Sequence, residues 1–137
     1  PIQIAQYVNI LATRGITQKL HFGTNHIQNI NITPHFKASS WELIDRLMKG
    51  VIYDAGGTGK SADPNIEGLI LAGKTGTAQN PHGEDHAWFV GYGKKGEQVI
   101  SATVLIENGG HGGQFAAPIA RTAFNYVFQT RQIVENQ

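Results

Sequence analysis

Leu69-Ile70-Leu71-Ala72-Gly73-Lys74-Thr75-Gly76-Thr77-Ala78 is the stretch on which the fold turns. Its apolar start and its threonines suit a β-strand. Two glycines, a lysine and two hydroxyls interrupt the run. A glycine inside a strand gives up packing surface and often marks close approach by a ligand or another backbone. Side chains alternate across a strand, so Thr75 and Thr77 share one face while Lys74 and Gly76 share the other. The product is a bare backbone edge with two hydroxyls and a cation beside it. Such an edge can accept an extended peptide as an added strand and hold its carboxylate with Lys and Thr. The plain alternative is an ordinary edge strand guarded by a lysine.

Working outward, Ala87–Tyr92 and Val99–Ile106 read as two further strands, and Gly93-Lys94-Lys95-Gly96 as their hairpin connection, with the lysines a charged tip. Asn80-Pro81-His82-Gly83 is a loop. Upstream, Ser39 and Glu42 have capping-box spacing, and Ile44, Leu47, Met48, Val51 and Ile52 give the buried face of a helix that ends by Gly56-Gly57. A glycine-rich loop follows to Gly68. Residues 15–38 read as irregular or short strand. Pro1 to Thr13 reads as a helix with Ile4, Val8 and Leu11 in one stripe. Ile2, Tyr7 and Ile10 widen that stripe almost all round, the pattern of a helix buried in a larger body. A last helix is expected over 114–131, with Phe115, Ile119, Ala123 and Tyr126 on its apolar side and Pro118 near its first turn. Helix, helix, three strands, helix is an α+β order: an antiparallel sheet with flanking helices.

Composition narrows the chemistry. A length of 137 residues suits one domain. The formal charge of +1 gives no electrostatic reason to expect nucleic acid or a membrane surface as partner. Without cysteine there is no disulfide, thiolate metal site or thiol nucleophile. Glycines number 17, and all but Gly15 and Gly23 lie between Gly50 and Gly113, which points to that stretch for function.

Two superficial motifs fail on context. Asp54-Ala55-Gly56-Gly57-Thr58-Gly59-Lys60-Ser61 resembles a phosphate-binding loop. However, Asp54 replaces its first glycine, a helix precedes it, and Pro64 follows too soon. His82 and His86 have the i, i+4 spacing of metal ligands on a helix, but Pro81 and Gly83 make the segment a loop. With His111 they read as solvated loop histidines rather than metal ligands.

Lys74-Thr75-Gly76 resembles the third active-site element of penicillin-binding proteins and class A β-lactamases. The longer string Ala72-Gly73-Lys74-Thr75-Gly76-Thr77-Ala78-Gln79 is more similar to the penicillin-binding transpeptidases. Asp85-His86-Ala87-Trp88-Phe89-Val90-Gly91-Tyr92 resembles the next strand of the class B group. Glu107-Asn108-Gly109-Gly110 resembles the end of the strand after that in the elongation-type group, penicillin-binding protein 2. Pro1-Ile2-Gln3-Ile4-Ala5-Gln6 resembles the helix after the group's second motif. The nucleophile element Ser-x-x-Lys and the Ser-x-Asn element are not in this sequence. The resemblance, with a first helix that lacks a capping residue, therefore implies the C-terminal part of a transpeptidase domain. The fold expected is an incomplete serine β-lactamase/penicillin-binding-protein transpeptidase-like fold, inactive by itself.

The resemblance implies a peptidoglycan D,D-transpeptidase working through a serine acyl-enzyme without metal or organic cofactor, with stem peptides ending in D-Ala-D-Ala and β-lactams as partners. Lys74 and Thr77 take catalytic roles in that scheme. Thr75, Gly76 and Thr77 bind substrate, and the Thr77 N–H is one oxyanion donor. His86, Gly109 and Gly110 are cleft-lining candidates. The implied place is the bacterial envelope, with an anchor outside this segment and a link to cell-elongation machinery through the whole protein. The alternatives are a non-catalytic penicillin sensor or binding module of the same fold, and a D,D-carboxypeptidase or β-lactamase. A nucleotide-binding protein is the weakest rival.

Overall fold

A computed structural model describes residues 1–18, 29–31 and 36–130. The elements in chain order are α1 (Ile2–Ala12), β1 (Ile16–Gln18), β2 (Asn29–Asn31), α2 (Ala38–Tyr53), β3 (Ile70–Ala78), β4 (His86–Lys95), β5 (Gln98–Ile106) and α3 (Gly112–Asn125). A short 3-10 turn spans Lys60–Ala62, and a π turn at Tyr126–Thr130 continues α3. Strands β3, β4 and β5 form one antiparallel sheet in that order. β1 and β2 form a separate antiparallel pair within the segment expected to be irregular or short strand. The rest of that segment up to residue 35, and the expected end of the last helix at Arg131, lie outside the described residues.

Alternation sorts the sheet into two faces. Leu71, Phe89, Ala102, Val104 and Ile106 face α3, where they pack with Ala116, Ala117, Ala120, Phe124 and Phe128. Ala72, Val90 and Tyr92 face α1 and α2, where they meet Val8, Leu11, Ala12 and Met48. The architecture is thus helix, sheet, helix, as the α+β reading expected.

Several local expectations need correction. The buried side of α3 is the alanine side. Phe115, Ile119 and Tyr126 are 47%, 50% and 67% exposed, whereas Ala116, Ala117 and Ala120 are fully buried. Small side chains let the helix settle close against the sheet, and Phe124 and Phe128 fill the wider end. Pro118 stands in the second turn rather than the first, because α3 begins at Gly112. The capping box at Ser39 and Glu42 does not form. Lys37 holds the extended cap position, which puts Ser39 inside the first turn, and no side chain caps the helix.

On α2, Leu47 is exposed, because Trp41, Met48 and Ile52 lie toward the core and Leu47 points about 100° away from Met48. α1 is not buried all round either. Tyr7 is 57% exposed, since the sheet meets only the side bearing Val8 and Ala12. The hairpin connection is shorter than expected. β4 runs on through Gly93, Lys94 and Lys95, and Lys95 pairs with Gln98 across Gly96-Glu97, with Gly96 at φ +56°. Lys94 is therefore a strand residue, its ammonium 4.9 Å from the Tyr92 ring centroid, rather than a free tip.

Candidate active site

The site is built around β3. Among the described residues β4 is its one sheet neighbour, and its other side is an open edge. In an antiparallel strand, the N–H and C=O of one residue point the same way, and the direction alternates along the chain. The Leu71 N–H donates to Tyr53 Oη at 2.9 Å, away from β4. The register with β4 is unbroken from Ile70 to Ala78. Gly73, Thr75 and Thr77 therefore also turn their backbone groups to the open edge.

The side chains divide as alternation requires. Thr75 and Thr77 lie on the α3 face, and Lys74 and Gly76 lie on the α1/α2 face. The Lys74 ammonium donates to the carbonyl of Thr75, so it curls back along the open edge. A Cβ at Gly76 would stand 3.2 Å from Trp88 Cβ. The glycine therefore lets the indole stem lie close beneath the strand. Gly73 is explained differently: the Phe89 ring sits where its Cβ would be, at 2.7 Å. Its close approach is to a core side chain.

A cavity of about 350 Å³ lies on the α3 side of the strand, lined by Thr58, Thr75, Gly76, Thr77, His111, Gly112 and Gly113. Three elements shape it. The loop after α2 folds back on the helix end, where the Gly59 N–H donates to the Val51 carbonyl at 2.8 Å. That wrap presents Thr58, whose hydroxyl lies 2.7 Å from the Thr75 hydroxyl. The start of α3 supplies the third wall. A Cβ on Gly112 would lie 2.0 Å from the Trp88 carbonyl and 2.4 Å from that of Gly76, so only glycine admits this crossing. The Ser61 hydroxyl donates to the Gly113 carbonyl at 2.7 Å, fastening the loop to α3. His111 caps the helix with extended backbone, and its Nδ1 is 3.4 Å from Thr77 Oγ1.

The predicted cleft-lining residues lie elsewhere. Gly109 and Gly110 line a different cavity of about 460 Å³, with Glu84, Ile106, Asn108, Phe115 and Ile119. His86 sits at the start of β4, where its Nδ1 accepts the Asn108 N–H at 2.9 Å. The Asn80 amide donates to the Asn108 side chain at 2.7 Å, and the Gly110 N–H donates to the Asp85 carbonyl at 2.7 Å. These bonds clip the β3–β4 loop to the β5–α3 loop. The lookalike phosphate loop has other tasks. Lys60 donates to the Ala55 carbonyl, and Ser61 is committed to Gly113. No group of three or more His, Cys, Asp or Glu side chains is placed to hold a metal ion among the described residues.

On the Lys74 face, Tyr92 donates to Asp45 at 2.8 Å, and Lys49 pairs with the same carboxylate at 2.6 Å. Burial pushes the Asp45 carboxyl up, but the bonds from Lys49 and Tyr92 and the nearby ammonium groups bring it below its ordinary value. Burial and the Asp45 charge raise the Tyr92 phenol well above its ordinary value. Burial lowers Lys94, against the pull of Asp45. The result is a charged tie between α2 and β4.

Residues 1–125 match the model of the penicillin binding protein transpeptidase domain. The chain belongs to this family. It is 31% identical to the peptidoglycan D,D-transpeptidase MrdA of Haemophilus influenzae, over 96% of this chain and 24% of that protein. Identity to MrdA of Acinetobacter baumannii is 36%, over 96% and 23%. Among solved structures, penicillin-binding protein 2 of Pseudomonas aeruginosa in complex with WCK 5153 superposes with a TM-score of 0.75 at 28% identity, covering 94% of this chain and 30% of that one. The imipenem acyl-enzyme of penicillin-binding protein A from M. tuberculosis gives 0.70 at 25%, covering 94% and 31%. The chain thus spans about a quarter of the length of the curated transpeptidases it matches over nearly its whole length. The transpeptidase-like fold expected from the motifs is the fold it has.

Sequence reasoning missed Thr58 as a wall of the β3 cavity; His111, exposed as expected of a loop histidine, also lines it. Spacing along the chain held no sign of these contacts, because residues 58, 75 and 111–113 meet only when α3 closes on the sheet.

Proposed function

We propose that this chain is the C-terminal part of a serine-type peptidoglycan D,D-transpeptidase of the cell envelope, and that it carries the strand against which the substrate peptide lies. The observation that carries this reading is Lys74-Thr75-Gly76-Thr77 on the open edge of β3 in a chain of this family. A nucleophilic serine outside this segment would attack the carbonyl of the penultimate D-alanine. The peptide C–N bond breaks, D-alanine leaves with a proton, and an ester forms. The amine of a second stem peptide then attacks the ester, the cross-link forms, and the serine regains its proton. β-Lactams acylate the same serine. The relatives' names and the acyl-enzyme structure of a related protein support this chemistry.

Lys74 supplies positive charge to the substrate carboxylate and to the proton network of the Ser-x-Asn element. Thr75 and Thr77 hold the carboxylate, and Gly76 keeps the edge open. The Thr77 N–H, turned to the open edge, is one oxyanion donor, worth about 3 kcal/mol in the transition state. His86 acts at one remove, by fixing the Asn108 backbone through its ring nitrogen. Gly109 and Gly110 belong to a neighbouring cavity and give the connection its reach. Anchoring at the cytoplasmic membrane and work with the elongation machinery follow for the whole protein.

The test is to incubate the product of the whole reading frame with a penicillin and map the adduct by mass spectrometry. An adduct on a serine outside this segment is the expected result. A folded protein with no adduct would overturn the reading and leave a binding module.

A further inference from the structure

Thr58 lies outside the Lys-Thr-Gly-Thr run, yet it makes the one described side-chain hydrogen bond of Thr75, at 2.7 Å. Thr75 is 8% exposed, so most of the residue is shielded from bulk water. Its orientation is therefore set mainly by this bond. Each hydroxyl has one proton and can accept as well. If Thr75 donated to Thr58, it would turn only lone pairs to the cavity and repel a carboxylate. If Thr58 donates, the Thr75 proton is free to point into the cavity.

We propose that Thr58 is a positioning residue for substrate recognition: it donates to Thr75 Oγ1 and so makes Thr75 a donor toward the substrate carboxylate. This rests on the function proposed above. The frame of Thr58 fits the role. Its loop is tied to α2 through Gly59 and Val51, and to α3 through Ser61 and Gly113. A Cβ on Gly113 would stand 2.3 Å from the Thr58 carbonyl, so the loop and the helix start are in direct contact. The hydroxyl is held from two sides.

The experiment compares acylation of the whole-reading-frame protein by a penicillin and by its methyl ester, which lacks the carboxylate charge. Thr58→Val keeps the shape and removes the donor. It should lower the acid-to-ester rate ratio about fivefold, the size of one net hydrogen bond. Thr58→Ser should keep the ratio within about twofold of wild type, since it keeps the hydroxyl. In a Thr75→Val background, Thr58→Val should change the ratio no further. Thr58→Ala serves as the second hydroxyl-free variant if valine disturbs the loop. Equal losses for acid and ester, or an undiminished effect in the Thr75→Val background, would overturn the positioning role and leave a structural one. An unchanged ratio in a wild-type-like protein would overturn it too. Absence of any adduct in the wild type would instead overturn the transpeptidase reading itself.

Discussion

The two faces of the β3–β4–β5 sheet are built on different principles. The α3 face is dense and apolar: Phe89, Leu71 and Phe124 pack against a row of alanines, with glycines where aromatic rings press close. The α1/α2 face has a small apolar cluster and is tied by charges, Tyr92 to Asp45 and Asp45 to Lys49. One strand divides its chemistry between them. The hydroxyls of Thr75 and Thr77 sit over the dense face, and the Lys74 side chain leaves from the other and turns its ammonium to the open edge. A group that must hold one direction is backed by close packing. A flexible cation needs only the open edge.

The largest effect should come from the cation. Lys74→Ala in the whole-reading-frame protein should cut β-lactam acylation by about a hundredfold or more while the circular dichroism spectrum stays native. Acylation at the wild-type rate would remove Lys74 from the chemistry and with it half of the contrast. On the dense face, Phe124→Ala should cost about 3–5 kcal/mol in denaturant unfolding, whereas Phe115→Ser on the same helix should cost about 0.5 kcal/mol or less. The reverse order would mean that α3 packs with its large residues inward. Gly112→Ala should cost about 1–3 kcal/mol and lower acylation as well, because α3 must lift away from Gly76. A wild-type melting temperature in that variant would break the claim of a closed crossing.

The smallest effects belong to the charged face. Tyr92→Phe should lose about 1 kcal/mol, read as a lower melting temperature at neutral pH. The pH dependence has a definite sign. Asp45 is held below its ordinary 3.8, so its contribution is complete above that pH and fades as pH falls through the lower folded value. Tyr92 is held above its ordinary 10.0, so its contribution is complete below pH 10 and fades as pH rises further. Tyr92→Phe should flatten both flanks of the stability profile. An unchanged profile would reduce the tie to a surface pair.

The order of elements was legible because strand alternation and the Lys-Thr-Gly run are local signals. The buried side of α3 was not. Periodicity marks an apolar stripe but cannot tell which stripe meets the sheet, and here Ala116, Ala117 and Ala120 outrank Phe115 and Ile119 because they permit closer approach. The cap at Ser39 failed because the helix begins two residues earlier than that cap requires, at Ala38 with Lys37 as its cap. At the site, the division of Lys74 from Thr75 and Thr77 was readable from alternation. Thr58 and His111 were not, because their relation to β3 depends on tertiary closure.

The crossing at Gly112 limits how this molecule can change. With a carbonyl 2.0 Å from where a side chain would begin, that wall of the Thr75 cavity offers no room for substitution. Adaptive variation in the cavity's shape, such as a lineage under antibiotic selection would explore, is steered to Thr58 and His111, whose exposed side chains can be exchanged without moving the strand.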